Sequence, residues 1–196
     1  MKLAAMLSRR RLYLLLAAGV LLLDQVTKIL AHAFLRGRGA TEIVPGFFNL
    51  TYSRNPGGLF GYLGDLADPW RSVVLTLVPL VAIGMILGFL LRGDENDRPT
   101  LLGLGLILGG AVGNLIDRLV RGEVVDFLDV YAAPGRVADW LIARFDTAHW
   151  PTFNVADSAI VVGAGLLIVS ILRPHPTTRA AGPVDPSAAA GSRDAV

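Results

Sequence analysis

Hydrophobic residues are concentrated in four long segments of the chain, which polar stretches separate. The segments cover residues 12–35, 73–91, 100–116 and 154–172. A helix needs about 20 mostly apolar residues to cross the hydrocarbon core of a bilayer, which is about 30 Å thick. The fourth segment approaches this length only when it is extended back from Ala159 toward Trp150. The pattern therefore predicts four transmembrane helices.

A different pattern lies between the first two segments. Residues 37–69 contain β-branched and aromatic runs broken by proline and glycine, most clearly in Glu42–Tyr52. Such runs are typical of short strands, so we expect a small sheet on the membrane surface. Residues 174–196 are rich in Pro, Ala, Gly and Ser without apolar periodicity, and are predicted to be a disordered tail. The predicted fold class is an all-α membrane protein, residues 1–173, with four transmembrane helices and a small extracytoplasmic β-cradle.

Basic residues at the start of the chain indicate its orientation. Lys2 and Arg9–Arg11 precede the first segment, which places the N-terminus in the cytoplasm by the positive-inside rule. Four spans then put both termini in the cytoplasm and the loops 36–72 and 117–153 together on the outer side.

A cleaved secretory signal peptide is the alternative interpretation of this N-terminus. Basic residues followed by the apolar run Leu12–Leu23 fit it, with Ala31–Ala33 as a cleavage site. The polar cluster Asp24–Lys28 separates the apolar run from that site, which favours a retained span.

Composition supports a polytopic membrane protein and excludes several kinds of chemistry. Of the 196 residues, 53% are hydrophobic and 17% are charged, and the net charge is only +2. Mean hydropathy is +0.56, too high for an ordinary soluble domain. Basic residues form no aromatic-rich patch, so no nucleic-acid partner is expected. Cysteine is absent, which excludes disulfides, thiolate metal sites and a cysteine nucleophile.

Ionisable residues inside apolar segments are candidate functional residues, because each costs several kcal/mol at membrane depth unless it is paired or faces water. Asp24 and Lys28 lie four residues apart on one helix face, where they neutralise each other. A structural ion pair and a functional role remain equally open for them.

Two further clusters contain acidic residues. Asn114 and Asp117 share a helix face, and Arg118 begins the outer loop in this interpretation, so an ion pair at the helix end accounts for Asp117 and Arg118. Downstream, Asp126 is flanked by two valines and a phenylalanine. Apolar surroundings of this kind raise the pKa of a carboxyl group.

The last cluster, Asn154 and Asp157, enters the fourth segment. Either residue could cap a helix, and capping explains Asn154 better than Asp157, which lies one turn inside. Because the third span ends where the fourth begins, Asp126 and Asp157 can meet. Two carboxylates at one apolar site share a proton, so one takes a proton from water while the other polarises a carbonyl. The predicted reaction is hydrolysis by water, without a covalent intermediate, metal or cofactor.

Two alternatives remain at this point. A proton-coupled transporter would use Asp24, Asp126 and Asp157 to relay protons, and a scaffold protein would contain them as incidental polar contacts. A serine mechanism is disfavoured because no base lies beside a serine, and scattered histidines disfavour a metal site.

Five short motifs occur in a fixed order within residues 12–172. They are Asp24-Gln25 with Lys28, Asn55-Pro56-Gly57 with Phe60, Gly113-Asn114 with Asp117-Arg118, Val125-Asp126-Phe127, and Phe153-Asn154 with Ala156-Asp157. In this order they resemble the lipoprotein signal peptidase (signal peptidase II) family. Gly58-Leu59 departs from the small residues that are usual there.

The resemblance implies an aspartic endopeptidase whose catalytic dyad is Asp126 and Asp157. Site support or substrate binding is implied for eight residues: Asp24, Lys28, Asn55, Gly57, Asn114, Asp117, Arg118 and Asn154. The implied substrate is a prolipoprotein whose cysteine carries diacylglycerol, cleaved on the N-terminal side of that cysteine. A short helix in the last outer loop is also implied. We expect a monomer in the bacterial inner membrane, with its active site near the extracytoplasmic surface and with only this substrate and membrane lipid as partners.

Overall fold

Helices dominate the structure, a computed structural model that describes residues 2–57, 68–92 and 97–173. The helices of this part of the chain are α1 (Lys2–Phe34), α2 (Asp68–Arg92), α3 (Arg98–Arg121), α4 (Arg136–Phe145) and α5 (Val155–Leu172). Its strands are β1 (Thr41–Val44), β2 (Phe48–Asn55) and β3 (Val124–Val130). The predicted tail 174–196 and the motif positions Gly58, Leu59 and Phe60 lie outside the described residues.

Among the described residues, four helices are long and apolar enough to cross a membrane. They are Arg10–Phe34, Val73–Leu91, Arg98–Arg121 and Val155–Leu172, which confirms the predicted number of spans. The third span was predicted to end too early, at residue 116. The sequence pattern predicts Asp117 at the helix end and Arg118 in a loop. The helix instead continues to Arg121, because Asp117 is fully buried and paired within the bundle. Gly122 then ends the helix in the left-handed conformation, with φ 76°.

Helix α3 lies at the centre of the bundle. Half of the residues in its apolar 18-residue stretch are buried, whereas the share is 17–22% in the other three spans. Glycines permit this close packing, since a methyl group on Gly163 of α5 would lie 2.6 Å from the carbonyl oxygen of Gly103 on α3. Gly84, Gly88 and Gly165 have open space at the same position. Close helix packing therefore explains some of the membrane glycines and not others.

This difference gives a matched pair of substitutions on α5. Gly163→Ala is expected to lower the free energy of unfolding by about 1–3 kcal/mol, because the added methyl group overlaps the backbone of α3. Gly165→Ala has room, and should raise it by about 0.5–1 kcal/mol through helix propensity. Unfolding in detergent measures both. Equal effects of the two variants would contradict the packing explanation.

The sheet has the order β1-β2-β3 and is antiparallel. Its first two strands come from the region where the sequence predicted a sheet. The sequence pattern does not predict the third strand, since the apolar residues of Val124–Val130 are interpreted there only as the surroundings of Asp126. Pairing of Ser53 with Asp126 and of Asn55 with Val124 brings the end of β2 to the start of β3. The sheet thereby places Asn55 near Asp126.

The segment after β3 returns the chain to the bundle. Helix α4 matches the short helix that the resemblance implied, and its side chains Val137, Trp140 and Phe145 are exposed. Beyond α4, the chain runs back along β3 through bridges between Tyr131 and His149 and between Leu128 and Phe153. This return path ends at residue 154, beside Asp126 and at the start of α5.

Candidate active site

Asn154 is the residue that connects the two predicted catalytic aspartates. Its side-chain Nδ2 donates to Oδ1 of Asp126 at 2.7 Å, and its backbone N–H donates to Oδ2 of Asp157 at 3.2 Å. Its Oδ1 in turn accepts from the backbone N–H of Asp157, which makes Asn154 the N-cap of α5. The side chain is fully buried. Capping and site assembly are therefore performed by the same side chain.

Asp157 also takes part in the cap, contrary to expectation. In the sequence, capping explains Asp157 less well than Asn154, yet Asp157 occupies the third helical position of a capping box with Asn154. Its other oxygen, Oδ1, accepts from Nδ2 of Asn114 at 2.7 Å. The carboxyl group is thus held from two helices and is partly accessible to solvent.

Asp126 is the more enclosed of the two aspartates, with 1% of its surface exposed. Its Oδ2 accepts from Nδ2 of Asn55 at 3.0 Å, and its Oδ1 accepts from Asn154. Burial raises the pKa of Asp126 to about 6, and the charge of Asp157 acts in the same direction. The two asparagine hydrogen bonds and Lys28 oppose this rise without cancelling it. The expectation of a raised pKa at Asp126 is in line with this geometry.

Lys28 connects α1 to α3 through buried polar contacts. Its Nζ lies 2.9 Å from Oδ2 of Asp24, 2.9 Å from Oδ2 of Asp117 and 2.9 Å from Oδ1 of Asn114. Lys28, Asp24 and Asp117 are all fully buried. Because an ammonium group has three donors, all of them are used. The predicted ion pair between Asp24 and Lys28 is present, and through Asn114 it also reaches Asp157.

Asp24 ties α1 to the beginning of α5. Its Oδ1 accepts from the backbone N–H of Ala156 at 3.0 Å, one of the N–H groups that a helix start leaves without a partner. A carboxylate at this end also interacts favourably with the helix dipole. Gly113 makes room for it, because a methyl group there would lie 2.5 Å from the Asp24 carboxylate.

The ion pair predicted for Asp117 involves the wrong arginine. Asp117 pairs with Lys28 and with Arg121, four residues further along α3. Arg118 instead lies where its charge interacts with Asp157 and Asp126 more strongly than with Asp117. Arg121 lies beyond the helix end predicted at residue 116, so the predicted site does not include it. The i, i+4 spacing would have identified it in a longer helix.

Gly57 lies at the edge of this arrangement. Its backbone N–H donates to Oδ1 of Asn55 at 2.9 Å, which orients the amide group that binds Asp126. Gly57 has φ 107°, and a side chain there would collide with Leu75 of α2.

All ten residues predicted for the site lie in one region. Among the described residues no group of three or more His, Asp or Glu side chains is arranged to hold a metal ion.

The raised pKa of Asp126 predicts a pH dependence of stability. Between the ordinary value of 3.8 and about 6, the folded protein keeps a proton that the unfolded chain has lost. Stability should therefore fall as pH rises through this window and level off above it, by an amount of the order of 3 kcal/mol. The free energy of unfolding, measured in detergent from pH 4 to 7, should fall less in Asp126→Asn than in the wild type. Parallel curves would show that Asp126 titrates normally.

The fold and the site define an integral membrane protein with two aspartate carboxyl groups, one buried and one partly accessible, where its spans meet a surface sheet. Hydrolytic acid–base chemistry is what such a pair can perform. A family model described as signal peptidase (SPase) II matches residues 16–173. The chain belongs to the signal peptidase II family and is therefore a peptidase, so the transporter and scaffold alternatives lose their support.

Individual relatives agree with this assignment. A lipoprotein signal peptidase of Syntrophus aciditrophicus is 41% identical over 162 residues, which cover 83% of this chain and 92% of that protein. One from Chlorobium phaeovibrioides is 42% identical over 176 residues, which cover 88% and 96%. A bacterial membrane enzyme solved by the in meso method at 1.9 Å is similar in fold, with a TM-score of 0.67 and 28% identity over 83% of this chain and 94% of that one.

Proposed function

We propose that this protein removes signal peptides from prolipoproteins whose cysteine carries diacylglycerol, cleaving on the N-terminal side of that cysteine. Membership of the signal peptidase II family and similarity to lipoprotein signal peptidases support this substrate class. The physical setting agrees with it. A signal-peptide helix and two acyl chains both lie in the bilayer, so a protease that acts at their junction needs its catalytic groups at the end of its spans, close to the membrane surface.

Asp126 and Asp157 act in this proposal as a dyad that shares one proton. The observation that carries it is the position of Asn154, which hydrogen-bonds to both carboxyl groups. The ionised member accepts a proton from water as the water oxygen attacks the scissile carbonyl, and the protonated member donates to the carbonyl oxygen. When the C–N bond breaks, the aspartate that took the proton from water passes it to the leaving nitrogen, and the other aspartate takes a proton back from the hydroxyl formed on the carbonyl oxygen. The dyad then again holds one proton. The titration belongs to the pair, so the two roles are assigned jointly.

The remaining site residues hold this dyad in place. Asn55 and Asn154 orient Asp126, while Asn114 orients Asp157 and is itself held by Lys28. Neutral amides suit this task, since they bind a carboxyl group in either protonation state without adding charge. The charge of Arg118 interacts with both aspartates, and in the proposal it stabilises the negative charge of the dyad.

We place both termini in the cytoplasm and the sheet with the dyad on the extracytoplasmic side of the bacterial inner membrane. The basic residues before the first span support this orientation. In this arrangement the protein acts as a monomer on a substrate that lies beside it in the bilayer.

Cleavage of a matched pair of precursors tests the proposal. The purified chain is incubated in detergent with one prolipoprotein in two forms, with and without diacylglycerol on its cysteine. We expect cleavage of the modified form alone, giving a product that begins with the modified cysteine, as mass spectrometry would show. Cleavage elsewhere, or equal cleavage of both forms, would refute the proposed specificity.

A further inference from the structure

A cavity of about 330 Å³ lies between the end of α1 and the sheet. Its lining residues are Ile29, His32, Arg36, Tyr52, Arg54, Arg121, Glu123 and Val125. Successive side chains of a strand point to opposite faces, so Val125 in the cavity and Asp126 in the active site lie on opposite faces of the sheet. The cavity is therefore separate from the dyad.

The charges around this cavity are unbalanced. Three arginines line it against one carboxylate, that of Glu123. Arg54 pairs with Glu123, and Arg121 pairs with the buried Asp117. Within the described part of the chain, Arg36 has no carboxylate within ion-pairing distance, and its Nη1 contacts Nε2 of His32 at 3.2 Å. The cavity thus presents a cation that no carboxylate of the described residues pairs with.

The hydrogen bonds of His32 leave the Tyr52 hydroxyl as a donor in the cavity. A guanidinium group only donates, so Nε2 of His32 accepts from Arg36, and Nδ1 of His32 carries the ring proton. That Nδ1 lies 2.8 Å from the hydroxyl oxygen of Tyr52 and donates to it. The Tyr52 O–H is left to donate into the cavity. Arginine and tyrosine donors together suit an anion with several oxygens, above all a phosphate group.

The surroundings favour a phosphate that belongs to a lipid. Ile29, which lines the cavity, is 57% exposed on α1, and Leu30 and Phe34 are exposed beside it. These side chains belong to a membrane-spanning segment that ends at Phe34, two residues before Arg36. An acyl chain can therefore lie against the exposed side of α1 while its headgroup reaches the cavity.

We propose that the cavity lined by Arg36, Tyr52 and Arg54 binds the phosphate of an anionic phospholipid headgroup. A bound phospholipid would fix the end of α1 and the sheet at the level of the membrane surface. The diacylglyceryl group of the proposed substrate has no phosphate, so the site distinguishes membrane lipid from substrate. The proposal does not rest on the proposed function, because binding is measured without any peptide substrate.

Lipid binding to the delipidated full chain in detergent tests the proposal. Dioleoylphosphatidylglycerol is titrated and bound lipid is counted by native mass spectrometry. Dioleoylglycerol, which has the same chains without phosphate, should not compete. Arg36→Gln is expected to weaken the affinity for phosphatidylglycerol about tenfold through loss of charge-assisted hydrogen bonds. Arg38→Gln removes an equally exposed cation that does not line the cavity, and should change it less than about twofold.

Three outcomes would overturn the proposal. Unchanged affinity in Arg36→Gln would show that the cavity is not the site, and equal weakening in Arg38→Gln would reduce the effect to general surface charge. Displacement of the lipid by millimolar inorganic phosphate would assign the cavity to a free anion instead. Retention of most of the affinity in Arg36→Lys would support the need for a cation at this position.

Discussion

Asp126→Asn and Asp157→Asn are each expected to reduce cleavage of the diacylglyceryl-modified precursor about a thousandfold or more. In either variant the remaining carboxyl group has no partner with which to share a proton, so water activation and carbonyl polarisation no longer occur together. The two effects should be far from additive, because the dyad acts as a unit. Single-turnover cleavage of the precursor, followed by gel shift, measures the loss.

A third buried aspartate provides the matched control. Asp129 lies on the same strand as Asp126, is 5% exposed, and bonds to Asn49 and His149 rather than to the dyad. Asp129→Asn should therefore retain cleavage within about threefold, since it removes a buried charge of the same kind outside the site. The elution volume and thermal transition of all three variants show whether they fold. Normal cleavage by a folded Asp126→Asn or Asp157→Asn protein would end the aspartyl mechanism.

Lys28→Met is expected to lower the free energy of unfolding by about 3–5 kcal/mol. The substitution keeps the length of the side chain but removes the cation that bonds to Asp24, Asp117 and Asn114. Asp117 keeps Arg121, whereas Asp24 keeps no cation among the described residues. An uncompensated carboxylate in a fully buried position explains the size of the effect. Chemical unfolding in detergent micelles gives the value.

Two further variants show whether charge is responsible for this loss. Adding Asp24→Asn to Lys28→Met should recover part of the stability, because the buried charge disappears with its partner. Arg11→Met removes an exposed cation from the same helix and should change stability by less than about 0.5 kcal/mol. If Lys28→Met were no more destabilising than Arg11→Met, the buried network would have no structural role.

The site and the bundle are stabilised by the same side chains. Asp24 satisfies the start of α5, Asn154 caps that helix, and Lys28 joins α1 to α3. A change in any of them acts on the fold as well as on the dyad. Activity measurements on these positions therefore need a stability measurement beside them. Asp126 and Asp157 carry an additional requirement, since their proposed roles need their protons as well as their hydrogen bonds.

The amino-acid sequence alone was enough to predict the four spans and to single out the ionisable residues within them. Apolar length is a local property, and a charged residue inside an apolar segment stands out without any knowledge of its neighbours. Asn55 and Gly57 lie outside the apolar segments, and only the family resemblance indicated them as site residues. Hydrophobic runs also set the first two strands, since their β-branched and aromatic residues lie next to one another in the chain.

Which of these groups bond to each other became known from the folded arrangement of the helices and the sheet. The partner of Asp117 is Lys28 on another helix together with Arg121, and Asn154 joins Asp126 across 28 residues of chain. Strand β3 likewise forms because β2 pairs with it. Its seven residues combine apolar side chains with two aspartates and do not predict a strand by themselves. Hydrogen bonds and ion pairs depend on distances of about 3 Å in space. Spacing along the chain specifies such distances within one helix and leaves them undetermined between helices.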